Sequence, residues 1–347
     1  MGEFRYIWTK ELFTCPECGY GKYQRFIDVV TGELLPEEFG HCGRINSCAY
    51  DRRPETLFIN EDEEVKVIIE VNNYDLYDID KDVSTILEKE QQINITNNET
   101  TPNKFIKNLY QMFGVDNVNR SLISYRLGWS RITNNPNIHN NISYPYYFKG
   151  SLINSKIVFY NEDQHRNKQI DITWLNHRCT GYDFGTSQLS GIAYKYTLPL
   201  FGWDLLDLPE NKSKKVCIVE AEKSAFICSI LMPEYVWLAT GQKQLLKQYK
   251  LPYNSHREFY LFADMDMTKD GKQYFEYWQE QAQIIADNCR GFKHTIIDYM
   301  PEGLTTDQQH KALNKGFDIA DFILESEKLG YELNEYVASI KARIEEN

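Results

Sequence analysis

From Lys215 onward, short apolar runs alternate with longer amphipathic stretches. VCIVE (216–220), YVWLAT (235–240), FYLFADMD (259–266) and HTIIDYM (294–300) are apolar at successive positions, as strands buried on both faces are. Between them, AEKSAFICSILM (221–232), QKQLLKQY (242–249), KQYFEYWQEQAQIIADNC (272–289) and IADFILESEKLG (319–330) carry helical spacing. This βαβα series predicts an α/β unit built on a doubly wound parallel sheet, whose ligands sit in the crevice at the carboxyl ends of the strands.

Upstream the period differs. FIKNLYQMFG places Phe105, Leu109 and Phe113 on one helical stripe, and VDNVNRSLISYRLG repeats the pattern with Leu122, Tyr125 and Arg126. Strand-like pieces follow at 144–148, 156–160 and 171–175, separated by Gly150-Ser151 and the polar NEDQHRNKQ. Residues 55–103 hold EDEE, DLYDIDKD and QQINITNNETTPN, rich in turn formers without a periodic apolar face, and read as an acidic linker. VKVIIEV (65–71) fits either a strand or a docking segment. The expected organisation is a module (1–54) whose CPECG and HCGRINSC segments resemble a zinc ribbon, the linker (55–103), a basic α+β region (104–214), the parallel α/β domain (215–330) and a C-terminal helix (331–347).

Charge sharpens these boundaries. The chain of 347 residues carries a net −12, which by itself disfavours a nucleic-acid partner. The sum conceals an uneven distribution: residues 1–54 net −1, 55–103 net −10, 104–215 net +6 and 216–347 net −7. Phosphate attraction depends on the field within a Debye length of about 8–10 Å, so a basic middle suits a phosphate-binding surface. No run of 18 apolar residues occurs and the first ten residues lack an apolar leader, so a cytoplasmic chain with no membrane partner is expected.

Of eight cysteines, four fall in the first 50 residues with the spacing C-x2-C, 23 residues, C-x5-C: Cys15, Cys18, Cys42 and Cys48. Two loops that each deliver two thiolates satisfy one tetrahedral Zn²⁺, and YQRFIDVVTGELL between them alternates like a hairpin with Thr31-Gly32 at its turn. Disulfides are disfavoured in a cytosolic chain, and a redox C-x-x-C follows a strand in a βαβ unit, which is not the context here. His41, beside Cys42, is an alternative ligand. A site closed by four protein ligands is structural.

Acidic residues end two of the parallel strands: Glu220 the first, Asp264 and Asp266 the third. Spacing i, i+2 puts both aspartates on one side of an extended segment. Carboxylates gathered at one sheet edge repel unless a cation neutralises them, and Mg²⁺ or Mn²⁺ suits oxygen donors and bridges to phosphate. Lys223, one step into the next helix, is placed to pair with phosphate or with Glu220.

IVEAEKSA, WLATGQ and LFADMD together resemble the toprim domain shared by bacterial-type primases, topoisomerases and related nucleases. Glu220 matches its glutamate, Gly241 its middle glycine, and Asp264 and Asp266 its acidic pair. GFDIADFI resembles the segment downstream of toprim in primase-like proteins. With the four-cysteine module ahead of it, the order is similar to the bacterial replicative primase, and more so to primase-like proteins of bacterial mobile elements. The chain departs from the replicative primase in its four-cysteine set and in the four-residue loop before Gly271.

The resemblance implies a primase-like nucleotidyltransferase that acts on single-stranded DNA with nucleoside triphosphates, in replication of a mobile element or phage, with a helicase or other replication protein as partner. It implies structural Zn²⁺, catalytic Mg²⁺ or Mn²⁺ held by Glu220, Asp264 and Asp266, and a catalytic role for Lys223. It assigns nucleic-acid contacts to Arg126, Arg131, Lys149, Lys156, Arg166, Lys168 and Arg178, interleaved with Tyr125, Trp129, Tyr144, Tyr146, Tyr147 and Trp174, whose rings suit unpaired bases. The competing readings are a toprim nuclease and a non-catalytic DNA-binding accessory protein.

Overall fold

The computed structural model describes residues 6–9, 11–28, 32–44, 48, 50–52, 81–100, 103–129, 140–175, 198–241, 246, 257–265, 274–288 and 293–346. The chain divides into two compact units, Met1–Val71 and Asn72–Asn347.

In the first unit, strands β1 (Tyr6–Trp8), β2 (Tyr23–Asp28), β3 (Gly40–Cys42) and β4 (Asp51–Arg52) form an antiparallel sheet in sequential order. The expected turn after β2 is closed by Gly32 N–H on the Asp28 carbonyl and by Asp28 N–H on the Glu33 carbonyl.

The second unit opens with helix α1 (Lys81–Thr100), inside the segment read as a linker. Its described buried positions are Ser84, Leu87, Gln91 and Asn94, spaced three or four apart on one face. Only Leu87 is apolar, so hydrophobic periodicity could not mark this helix. Gln91 is satisfied at both ends of its amide, with Ser143 Oγ donating to Oε1 at 2.8 Å and Nε2 donating to the Arg126 carbonyl at 3.0 Å, and the Asn94 backbone carbonyl accepts from Trp129 N–H at 3.3 Å. Gly128 permits this approach, since a Cβ there would lie 2.5 Å from the Asn94 carbonyl carbon. Backbone cannot yield as a side-chain tip can, so Gly128→Ala is expected to cost about 1–3 kcal/mol, read as a lower melting temperature of this unit.

Helices α2 (Lys104–Phe113) and α3 (Val115–Ser124) form as the periodicity predicts, burying Phe105, Leu109, Phe113 and Leu122. Strands β5 (Asn141–Phe148), β6 (Ser151–Phe159) and β7 (Thr173–Trp174) make an antiparallel sheet. The third sheet is parallel, with order β11-β10-β8-β9: β8 (Val216–Val219), β9 (Val236–Ala239), β10 (Glu258–Phe262) and β11 (Lys293–Ile296). The chain runs from β8 outward to β9, then returns to place β10 on the other side of β8. The winding therefore reverses between β8 and β10, which is where such sheets open a crevice beyond their carboxyl ends.

Helices α4 (Glu222–Leu231), α5 (Tyr274–Asn288), α6 (Thr306–Lys315), α7 (Ile319–Leu324), α8 (Ser326–Leu329) and α9 (Leu333–Glu345) accompany this sheet. Trp237, Tyr260, Phe226 and Tyr299 are fully buried in a core continuous with that of α2, α3 and β5. The last turn of α9 is pinned at the opposite, amino edge: Lys215 Nζ donates to the Ile344 carbonyl at 2.6 Å and Tyr235 OH to Glu345 Oε1 at 2.9 Å, while Tyr336 OH in its first half donates to the Tyr299 carbonyl at 2.9 Å. The helix expected over 242–249 lies outside the described residues except for Leu246, which is buried. No described helix is long and apolar enough to cross a membrane.

Candidate metal centres and nucleic-acid surface

Two loops of the first unit present the cysteines. Cys15 N–H is held by the Tyr20 carbonyl and Gly19 N–H by the Cys15 carbonyl, which folds Cys18 back toward Cys15; Cys48 N–H on the Arg44 carbonyl does the same for the second pair. The Arg44 guanidinium lies 4.0 Å over the Tyr20 ring and ties the two loops together. Sγ of Cys15 is 3.7 Å from that of Cys48, Sγ of Cys18 is 3.8 Å from that of Cys42, and all four lie within 4.8 Å of one another. Zn–S bonds of about 2.3 Å give tetrahedral S···S edges of about 3.8 Å, whereas a disulfide needs about 2.05 Å. The donor set therefore fits Zn²⁺, and the thiols are not disulfide-bonded. His41 lies on β3 with its ring 5.7 Å from that of Trp8 and is not part of the set. The Tyr20 N–H draws the Cys18 thiol down to about 7, while burial pushes Cys48 up to about 12. Binding a dication to all four as thiolates thus releases protons.

The second candidate lies at the carboxyl edge of the parallel sheet. Glu220 follows β8 and Asp264 follows β10 by two residues; these strands are neighbours, with Phe262 opposite Val219. Asp264 is buried and Glu220 half-buried. Tyr299 OH donates to the Ala263 carbonyl beside Asp264 at 2.7 Å; burial raises its phenol pKa well above the ordinary value, and the charges of Asp264, Asp318 and Glu220 add to the rise. Asp266 lies outside the described residues.

Asp318 and Asp321 complete this edge. Asp318 caps α7, accepting from Asp321 N–H at 2.8 Å, and its other oxygen accepts from Ser224 Oγ at 2.7 Å. Burial and the neighbouring Asp321 charge raise its pKa, and Lys223 opposes them. Lys223 Nζ donates to Asp321 Oδ1 at 2.8 Å. Burial draws the Lys223 ammonium down, but Asp318 and Asp321 outweigh it and hold its pKa above the ordinary lysine value. Lys223 is thus committed to a carboxylate of α7 rather than to Glu220. His165 approaches the same group, with Nε2 2.8 Å from Glu325 Oε1 and Nδ1 3.6 Å from Asp321 Oδ1. The sequence marked this segment only as GFDIADFI; its signal is the D-x-x-D spacing of a reciprocal cap.

The expected nucleic-acid residues separate. Arg126, Lys149, Arg166 and Lys168 are exposed. The Arg126 guanidinium lies 4.2 Å over the Tyr147 ring and 4.0 Å from Asp204 Oδ2. Arg131 and Arg178 lie outside the described residues. Lys156 is 8% exposed and its ammonium faces inward: Nζ donates to Glu222 Oε1 at 2.9 Å, to Glu222 Oε2 at 3.1 Å and to the Gly241 carbonyl at 2.9 Å. That geometry leaves it no phosphate to meet. Its alternation position on β6, opposite Tyr144, turns it to the core side, and only the Glu222 carboxylate makes that tolerable. Tyr144, Tyr146, Tyr147 and Trp129 are buried core rings; Trp174 is half-buried.

Residues 4–63 match the zinc beta-ribbon finger family. The amino-terminal unit is a zinc ribbon. Downstream of this ribbon, residues 103–265 match a domain of unknown function (DUF6371), which runs from the start of α2 to the acidic end of β10. No curated protein matches the chain. Among solved structures, the crystal structure of the Aquifex aeolicus primase (zinc binding and RNA polymerase domains) aligns at 11% identity with a TM-score of 0.38, covering 96% of this chain and 83% of that one.

Proposed function

We propose that the parallel sheet is a toprim domain and that the chain is a primase-like nucleotidyltransferase acting on single-stranded DNA. The observation that carries this reading is the position of Glu220 and Asp264: they end adjacent parallel strands on the two sides of the point where the winding reverses. Hard carboxylate oxygens from two neighbouring strands suit Mg²⁺, which takes one or two protein carboxylates and completes its shell with water and phosphate oxygens. Glu220 and Asp264, with Asp266 two positions further along the sequence, would hold the ion, which would supply charge neutralisation at a reacting phosphate.

The chain's own residues supply the rest. Glu220 is the carboxylate placed to take a proton from an attacking hydroxyl. Lys223 is a positioning residue that holds Asp321, and through the reciprocal cap Asp318, beside the acidic edge. Exposed Arg126, Lys149, Arg166 and Lys168 offer charge to the backbone of a nucleic acid. The ribbon contributes no chemistry, because four thiolates leave zinc no open position.

The test offers the full chain labelled single-stranded DNA, Mg²⁺ and nucleoside triphosphates. Template-directed extension is the expected result. Shortened DNA instead identifies a toprim nuclease, and retention without either product overturns the enzymatic reading in favour of an accessory protein.

A further inference from the structure

A buried ion pair joins the two sheets of the larger unit. Lys156 reaches from β6 to Glu222, the first residue of α4, which is 3% exposed. Tyr146 OH, from β5, donates to the same carboxylate. Lys156 also holds the Gly241 carbonyl at the end of β9. Gly241 has φ +81°, and a Cβ there would come within 2.6 Å of Tyr146 Oη, so the backbone itself occupies the space beside the pair.

Gly241 and its neighbour Thr240 are in turn tied to the Glu220 backbone. Gly241 N–H donates to the Glu220 carbonyl at 2.9 Å and Thr240 Oγ1 to the same oxygen at 3.4 Å. One ammonium therefore grips the carboxylate two residues beyond Glu220 and the carbonyl of Gly241, the residue whose N–H holds the Glu220 carbonyl. Stability alone does not account for it, since well-packed apolar residues in place of a buried ion pair are often neutral or stabilising.

We infer that Lys156, with Glu222, is a positioning residue for the metal site: from the antiparallel sheet it sets the backbone on which Glu220 is carried, so that metal affinity at the acidic edge depends on a side chain outside the parallel sheet. This rests on the reading of that edge as a divalent-cation site. Partners of metal-holding carboxylates act in this way in general, fixing the ligand's orientation.

The test measures Mn²⁺ binding to the zinc-loaded full chain by electron paramagnetic resonance, alongside thermal melting. The double variant Lys156→Met with Glu222→Leu keeps the interior filled and uncharged. It is expected to melt at or above the wild-type temperature while binding Mn²⁺ about tenfold more weakly, and affinity within about twofold of wild type in a folded variant overturns the inference. If that variant does not fold, Lys156→Met with Glu222→Gln, which keeps an acceptor for Tyr146, is judged by the same two results. Wild-type chain that binds no Mn²⁺ overturns the cation site itself, a failure separate from unchanged affinity in the variant. Asp264→Asn is the control that assigns the Mn²⁺ signal to this edge.

Discussion

Removing zinc with a strong chelator is expected to unfold the amino-terminal ribbon while the larger unit keeps its structure. The buried cluster of the ribbon is Cys15, Tyr23 and Cys42, with Phe13, Cys18, Cys48 and Tyr50 packed against it. Its interior is thus made largely of the ligands themselves, and without a dication four thiols replace a bonded centre. Structural zinc contributes about 10–16 kcal/mol in small ribbons and fingers at neutral pH, more than a sheet of short strands supplies by burial. Elemental analysis should find about one zinc per chain, and Cys18→Ser should lower it sharply. Amide exchange would then accelerate across Tyr23–Asp28 and Gly40–Cys42 but not across β8 to β11. A Cys18→Ser chain with full zinc, or a metal-free ribbon with unchanged exchange, would contradict the assignment. Acid should release the metal, because protons compete for the thiolates.

The second large effect is on catalysis. Asp264→Asn keeps the shape of a buried side chain and removes its charge, and extension activity should fall by about a thousandfold, equivalent to about 4 kcal/mol of lost charge stabilisation. Retention of single-stranded DNA should stay near wild type, since the exposed cations lie on other elements. Without Mg²⁺ the variant should be at least as stable as the parent, because Asp264 is a buried carboxylate whose strand neighbours the one that leads into Glu220, and burial and like charge both raise its cost. Parallel loss of DNA retention and activity would count against a metal role for this residue.

The parallel sheet was legible in the chain because its strands are apolar on consecutive residues and its helices are not, so the change of period marks each boundary. The cysteine quartet was legible because ligand spacing is itself a geometric statement. Helix α1 was hidden for the reverse reason: Gln91 is buried through hydrogen bonds to Ser143 and the Arg126 carbonyl, and no pattern of apolar residues announces such burial. Lys156 and Lys223 show the same limit for charge. Each reads as a free cation in sequence, and each is spent on a carboxylate 66 or 98 positions away. Asp318 and Asp321 were visible as a motif, but their tie to Lys223 and Ser224 exists only once α4 and α7 meet.

Helix α9 offers a practical handle. Its last turn is fastened beside Lys215, at the entry to β8, whereas Glu220 is at the exit; five strand steps at about 3.3 Å separate the two by roughly 16 Å. On the proposed reading, a fluorophore or surface tether introduced on the last turn of α9 would therefore stand away from the acidic edge, so that nucleic-acid occupancy could be followed on an immobilised molecule without shielding that edge.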